Sequence, residues 1–173
     1  MVAALSVSAC APPSPAKPPK PSPSSTALFA TDEEALAAAE EAYREYQHVS
    51  DAILIDGGAD PERLLEVATQ AQYEYEKAGY DMALSRGYHS TGGSAFDSVT
   101  LKERDDRGTI TVFLCEDVSG VDIRDSDNVS VVPSGRPDRF PLVVSFVAAD
   151  SAESRLRVSE VQDWNEDNFC LQE

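Results

Sequence analysis

The chain has 173 residues, with 31 acids against 14 bases and a formal charge of −17. That charge repels phosphate backbones and argues against nucleic acid as a partner. No run of 18 apolar residues is present to span a bilayer as a helix. With two histidines and three cysteines, the chain is also poor in metal-ligating and nucleophilic side chains.

The charge divides the chain. Residues 1–30 carry Lys17 and Lys20 and no acid, so they hold +2, and residues 31–173 hold −17 − 2 = −19. Residues 2–9 form a short apolar and small-residue run that ends at Cys10. The tetrapeptide Val7-Ser8-Ala9-Cys10 is similar to the lipobox of bacterial lipoprotein signals, which places a diacylglyceryl group on Cys10. Residues 1–10 therefore read as a truncated lipoprotein signal segment, since a full one carries a basic leader and a longer apolar core. Seven of the eleven prolines follow, between Pro12 and Pro23. Residues 11–30 thus read as a disordered polyproline linker, and its sixteen most biased residues could reach about 50 Å.

Residues 31–173 read as one α+β domain. Thr31-Asp32-Glu33-Glu34 is a capping box, and the helix it opens runs to about Ile55, where Asp56-Gly57-Gly58 stops it. Leu36, Ala39, Tyr43, Tyr46, Ser50, Ile53 and Leu54 share one stripe. Glu34, Glu41, Glu45 and His48 face the other way, so His48 is a surface histidine, and Asp51 falls at the edge of the polar face. Asp60-Pro61-Glu62 opens a short second helix. Thr69-Gln70-Ala71-Gln72 caps a third, with Ala71, Tyr75, Ala78 and Met82 as its apolar stripe. Gly87, or the pair Gly92-Gly93, ends it.

Beyond Gly93 the period becomes that of strands, over residues 95–104, 109–118, 140–149 and 155–164. Residues 105–108 and 150–154 read as hairpin turns, and 125–128 fall in a longer connection. Three helices ahead of four antiparallel strands make helices on one face of a sheet. Cys115 and Cys170 are an even pair, expected to form a disulfide in an exported domain. In a meander the second and fourth strands run the same way. Cys115 then lies at the same sheet end as Trp164, six residues from Cys170.

The lipobox, the linker, the three helices and sheet, and the phrases LCEDVSGVDI and WNEDNFC resemble secreted lipoproteins of high-GC Gram-positive bacteria. The domain of these proteins is cystatin-like, nuclear-transport-factor-2-like. The resemblance implies a lipid site at Cys10, pairing of Cys115 with Cys170, and anchorage on the outer face of the cell membrane.

The fold group includes ketosteroid isomerase and scytalone dehydratase, with acid, tyrosine or histidine groups inside a cone-shaped pocket. All six tyrosines here lie between Tyr43 and Tyr88. Tyr43, Tyr46 and Tyr75 are the expected pocket residues, against the plainer reading that tyrosines pack a helix face with hydroxyls at the rim. Asp51 and His89, the latter in a loop after the third helix, are not expected to point into the pocket. Asp122, Asp125 and Asp127 lack the glycine and terminal glutamate of a calcium loop, so no metal, cofactor or catalytic residue is assigned.

The leading expectation is a lipid-anchored, extracytoplasmic, non-enzymatic binding or accessory module of the cell envelope. Its partners would be the bilayer, through Cys10, and an envelope protein or small ligand. The alternatives are a small-molecule-binding or isomerase/dehydratase-type enzyme, and a scaffold subunit of a secretion or conjugation assembly or a phage-encoded surface exclusion protein. A pocket holding a desolvated carboxylate or histidine favours the enzyme class. A pocket filled by Leu, Val and Phe opposes it.

Overall fold

The computed structural model describes residues 28–149 and 155–170. Cys10, the proline-rich segment and the expected turn at 150–154 lie outside the described residues.

Helix α1 spans Asp32–Ile55. Thr31 Oγ1 accepts the Glu34 amide at 3.1 Å, and Glu34 reaches back to accept the Ala30 amide at 2.9 Å. The reciprocal bond thus lands one residue upstream of the cap. At the other end, the Gly58 amide donates to the Ile53 carbonyl at 2.8 Å, with Gly57 and Gly58 both at positive φ. Gly58 also lets the chain touch the helix capped by Thr69, because a Cβ there would collide with the Tyr80 carbonyl.

The second helical segment, Pro61–Glu66, is a 3-10 helix, and its N-cap Asp60 makes no side-chain cap bond. The three helices expected are thus two α-helices and one 3-10 helix. Six residues opening on proline close one short turn only. Helix α2 spans Gln70–Arg86, capped by Thr69 and ended by Gly87 in the left-handed region.

Strands β1 (His89–Thr91), β2 (Ala95–Arg104), β3 (Ile110–Asp117), β4 (Asp122–Arg124), β5 (Arg139–Ala148) and β6 (Leu156–Asp163) follow. The large sheet is an antiparallel meander in the order β2-β3-β5-β6, matching the four expected strands. The pair β1-β4 forms a separate two-stranded sheet. Each of its strands has three residues, too few to show a period in sequence. Asp105 accepts the amides of Arg107 and Thr109 and shapes the β2–β3 turn.

Ile110, Val112 and Leu114 of β3 lie opposite Phe146, Val144 and Leu142 of β5. All six are buried, and Leu156 and Val158 of β6 extend the layer. Ala35, Ala39, Ala42, Tyr43 and Ile53 of α1 cover it. Each large apolar side chain buried there contributes about 1.5–3 kcal/mol. The 3-10 helix and the start of α2 are tied to β6 by backbone bonds: Thr69 donates to Val158, and Val158 donates to Val67, both at 2.9 Å.

On the opposite sheet face Cys115 and Cys170 form a disulfide with Cα atoms 5.5 Å apart. The Trp164 amide donates to the Pro141 carbonyl at 2.8 Å, and Pro141 pairs with Cys115. The Trp164 ring stacks on Phe113 at 4.2 Å, so the chain after β6 doubles back over β3.

Two outcomes test this arrangement. The disulfide closes a separation of 55 residues, so the double variant Cys115→Ser/Cys170→Ser should lose about 4 kcal/mol by denaturant titration on the chain-entropy account. Gly58→Ala should lose about 2–3 kcal/mol, through its left-handed backbone and the Tyr80 clash. A wild-type melting curve for either would refute the corresponding contact.

Candidate functional site

Beyond the apolar core, α1, α2 and β3 diverge around a cavity of about 280 Å³, closed on one side by the β3–β4 connection and β4. Its walls are not filled by Leu, Val and Phe alone. Asp51 of α1, Glu76 of α2 and Glu116 of β3 all line it, with Tyr43, Tyr46, Gln47 and Ser94. Leu54, Val121, Ile123, Phe140 and Val161 supply apolar surface. A smaller neighbouring cavity of about 190 Å³ shares Ser50, Leu54, Glu76 and Ile123 with it, and adds Tyr80, Tyr88 and His89.

The strand period places Glu116. Residues 110, 112 and 114 face the core, so 116 faces the same way, toward Gln47 of α1. Gln47 donates to Glu116 through a long bond of 3.4 Å. Burial pushes the Glu116 carboxyl above the usual range, and the charges of Asp51 and Glu76 add to that, against the lowering effect of Gln47.

Glu76 is better held. It accepts Tyr46 Oη and Gln72 Nε2, each at 2.9 Å. Gln72 Nε2 also donates to Tyr46 Oη at 3.1 Å, and Gln72 Oε1 accepts the Val161 amide at 3.2 Å. The triangle of Tyr46, Gln72 and Glu76 is thereby pinned to β6. Burial still raises the Glu76 carboxyl, with the two hydrogen bonds opposing it.

The hydroxyls respond to the same field. Burial, then the charge of Glu116, pushes Tyr43 well up, and burial followed by Glu76 does so for Tyr46. Tyr80 is pushed up to about 12, mainly by burial, with its hydroxyl 2.9 Å from Ser50 Oγ. Asp51 is secured by Ser94, accepting its amide at 2.9 Å and its hydroxyl at 3.0 Å. Arg136 is the cation in the wall. It donates from Nη2 to the carbonyls of Val118 and Val121, both at 2.8 Å.

Tyr43 and Tyr46 thus line the cavity, whereas Tyr75 is 72% exposed on α2. The expected apolar stripe of α2 is on the wrong side. Met82 is 49% exposed, and the buried face is Gln72, Tyr73, Tyr80 and Ala83. That face is amphipathic because it builds a polar wall as well as packing. Contrary to expectation, Asp51 and His89 each line a cavity. His89 belongs to β1 rather than a loop, and its pairing with Arg124 of β4 fixes it there. His48 is exposed as expected. Asp122 and Asp125 are engaged in local bonds to Ser130, Arg124 and turn amides.

Sequence reasoning does not single out Glu76 or Glu116. For Glu116 the signal is present in the alternation of β3. For Glu76 it is a stripe at 73, 76, 80 and 83 that mixes tyrosine, glutamate and alanine.

No family model matches the chain, and no curated protein matches it. Among solved structures, the intermembrane-space region of the chloroplast protein ARC6 is similar, with a TM-score of 0.52 and 12% identity over 74% of this chain and 95% of that one. Aln2 from a Streptomyces species aligns with a TM-score of 0.44 and 18% identity over 73% of this chain and 88% of that one. The likeness to ARC6 is one of fold.

The raised carboxyls carry a sign. The folded protein binds protons at Glu76 and Glu116 more tightly than the unfolded chain. Stability therefore falls as pH rises from the ordinary carboxyl range through their raised values. Glu116→Gln should remove part of that loss, raising Tm by a few degrees at pH 7.5 and leaving it unchanged at pH 4. Asp97 behaves oppositely. Hydrogen bonds from Arg139, then Ser98, lower it to about 2, so its contribution disappears only as pH falls through that value. Melts of both proteins across pH 4–8 check the slope, and equal slopes would place Glu116 in water.

Proposed function

We propose that the domain is an extracytoplasmic small-molecule-binding module whose ligand occupies the cavity between α1, α2 and β3. The observation that carries this reading is the wall itself. An interior built only for stability would be filled by hydrocarbon, whereas this one keeps two desolvated carboxyls, Glu76 and Glu116, around open space. Unpaired buried charge is costly, and a bound ligand offsets that cost.

Helices lying across a four-stranded antiparallel sheet support a cystatin-like, nuclear-transport-factor-2-like arrangement. The disulfide supports an oxidising compartment, in keeping with a lipid anchor at Cys10. On this reading the proline-rich segment is a tether, and the acidic domain stands off an anionic membrane.

A specific observation also favours the isomerase/dehydratase class. Glu116 is a half-buried carboxyl with a raised pKa beside Tyr43 and open space, which suits a general acid or base. Under that reading Glu116→Gln abolishes turnover of a ligand it still retains.

Ile123 lines both cavities, so Ile123→Trp should fill them. Wild type equilibrated with a cell extract, washed and denatured should release a small molecule by mass spectrometry that folded Ile123→Trp does not. Indistinguishable eluates would overturn the proposal. For the address, intact mass of the full-length product in the membrane fraction should show a diacylglyceryl addition on Cys10. Cys10→Ser should shift the domain to the soluble fraction.

A further inference from the structure

We infer that the smaller cavity, between α2 and the β1-β4 pair, is a second binding site whose ligand is a small neutral alcohol: an apolar body the size of a single ring, bearing one hydroxyl. The inference concerns a different cavity from the reading above and does not depend on it.

The first argument is an unused buried hydroxyl. Ser90 of β1 is 6% exposed and lines this cavity. It pairs with Ile123 of β4, which lines the same space. Directly opposed residues of an antiparallel pair share a face, so the Ser90 side chain is aimed at the cavity. Ser50 and Tyr80 in the wall bond each other at 2.9 Å. Among the described residues Ser90 Oγ has no hydrogen-bond partner, although its side chain is buried. A buried hydroxyl without a protein partner marks a place where another molecule belongs.

The second argument is a glycine that the backbone does not need. Gly79 lines the cavity from the interior of α2, where glycine is disfavoured. Its φ is not in the left-handed region, and a Cβ there would meet no atom within 4 Å. Neither a turn nor a close approach accounts for it. It lies three residues after Glu76 and four before Ala83, on the stripe of α2 that lines the cavity. Gly79 and Met82 are both exposed and stand at the mouth. The missing side chain at 79 leaves that mouth open.

The third argument is complementarity. The cavity measures about 190 Å³, and Leu54, Met82, Ala83, Tyr88 and Ile123 give it a largely hydrocarbon wall. An apolar cavity of roughly 150 Å³ holds benzene, so this one fits a single ring with one substituent. Two polar groups are free to meet that substituent. One is Ser90 Oγ. The other is Oε2 of Glu76, because both hydrogen bonds that Glu76 accepts land on Oε1. A hydroxyl donates to Glu76 and accepts from Ser90 at once. A carboxylate would meet Glu76 with like charge, and an ammonium would give up its hydration to a mostly hydrocarbon wall. A hydrocarbon would leave both polar groups without partners.

The test titrates the full chain at pH 7.5 with phenol, toluene, benzoate and benzylamine, each followed by ¹H–¹⁵N correlation spectra. Phenol should saturate shifts at the amides of residues 79, 83 and 90. Toluene and benzylamine should bind about 10-fold more weakly, the factor a hydrogen bond to a charged group supplies, and benzoate should be inactive. Ser90→Ala should weaken phenol about 5-fold and leave toluene unchanged. Gly79→Leu brings a stronger helix former, so it should keep or raise Tm while abolishing the binding of both. That variant keeps the test decisive if Ser90→Ala folds poorly. Toluene, benzoate or benzylamine binding as tightly as phenol would overturn the ligand class. Phenol binding that Gly79→Leu leaves intact, or that shifts residues 47, 51 and 116 instead, would overturn the site. Absence of phenol binding would overturn the inference and leave the reading of the larger cavity standing.

Discussion

Strand β3 carries two opposed requirements in adjacent residues. A pleated backbone sends successive side chains to opposite faces. Cys115 therefore joins the disulfide on one face, while Glu116 enters the cavity on the other. Upstream, the same alternation buries Ile110, Val112 and Leu114. A slip of one residue in register would exchange every one of these assignments. The continuous pairing of β3 with β5, from Ile110–Phe146 to Asp117–Arg139, prevents that slip. The return of the chain through Trp164 to Cys170 then clamps the strand at the end that carries Glu116. The clamp and the cavity sit on opposite faces, so the cavity is left open.

Burying Glu76 and Glu116 works against the fold. Among the described residues no cation is bonded to either carboxyl, so no ion pair offsets the water they give up. The protein limits the cost with neutral donors. Gln72 bridges Glu76, Tyr46 and the β6 backbone, and it is itself only 3% exposed. That network orients Glu76 and fixes α2 against the sheet together. Glu116 has no comparable support, since its best donor, Gln47, stands at 3.4 Å. The asymmetry separates a carboxyl that is mostly scaffold from one that is loosely held, bonded only by Gln47 and the Tyr43 hydroxyl among the described residues.

The fold was largely legible because its signals are local and strong. Capping threonines, a terminating glycine pair and period-two runs located α1, the start of α2 and the four strands of the large sheet to within a residue or two, and left the end of α2 between Gly87 and Gly92-Gly93. The cavity was legible in part. Tyr43 and Tyr46 were found through the stripe of α1, which is apolar by composition. The working face of α2 was missed, because Tyr73, Glu76, Tyr80 and Ala83 recur as regularly as Ala71, Tyr75, Ala78 and Met82, and hydrophobicity favoured the second set. Tertiary context reversed that choice: a helix that lines a polar cavity turns Tyr73, Glu76 and Tyr80 inward and leaves Tyr75 and Met82 exposed. Strands β1 and β4 form only by pairing with each other across some thirty residues, and nothing local announces them. They are nonetheless what brings His89 and Ile123 to the cavity walls.

The acidity of the domain and the acidity of the cavity reinforce each other. A domain holding −19 over residues 31–173 concentrates cations around its whole surface, and a cleft with low-dielectric walls focuses that field inward. For an anion the same field is a barrier before any contact is made. The long-range part is screened beyond about 8–10 Å at physiological salt, so it governs the rate of entry. Inside, where water is partly excluded, Asp51, Glu76 and Glu116 act at short range. On the ligand-binding reading proposed above, the surface field and the three carboxyls act in the same sense on whatever enters.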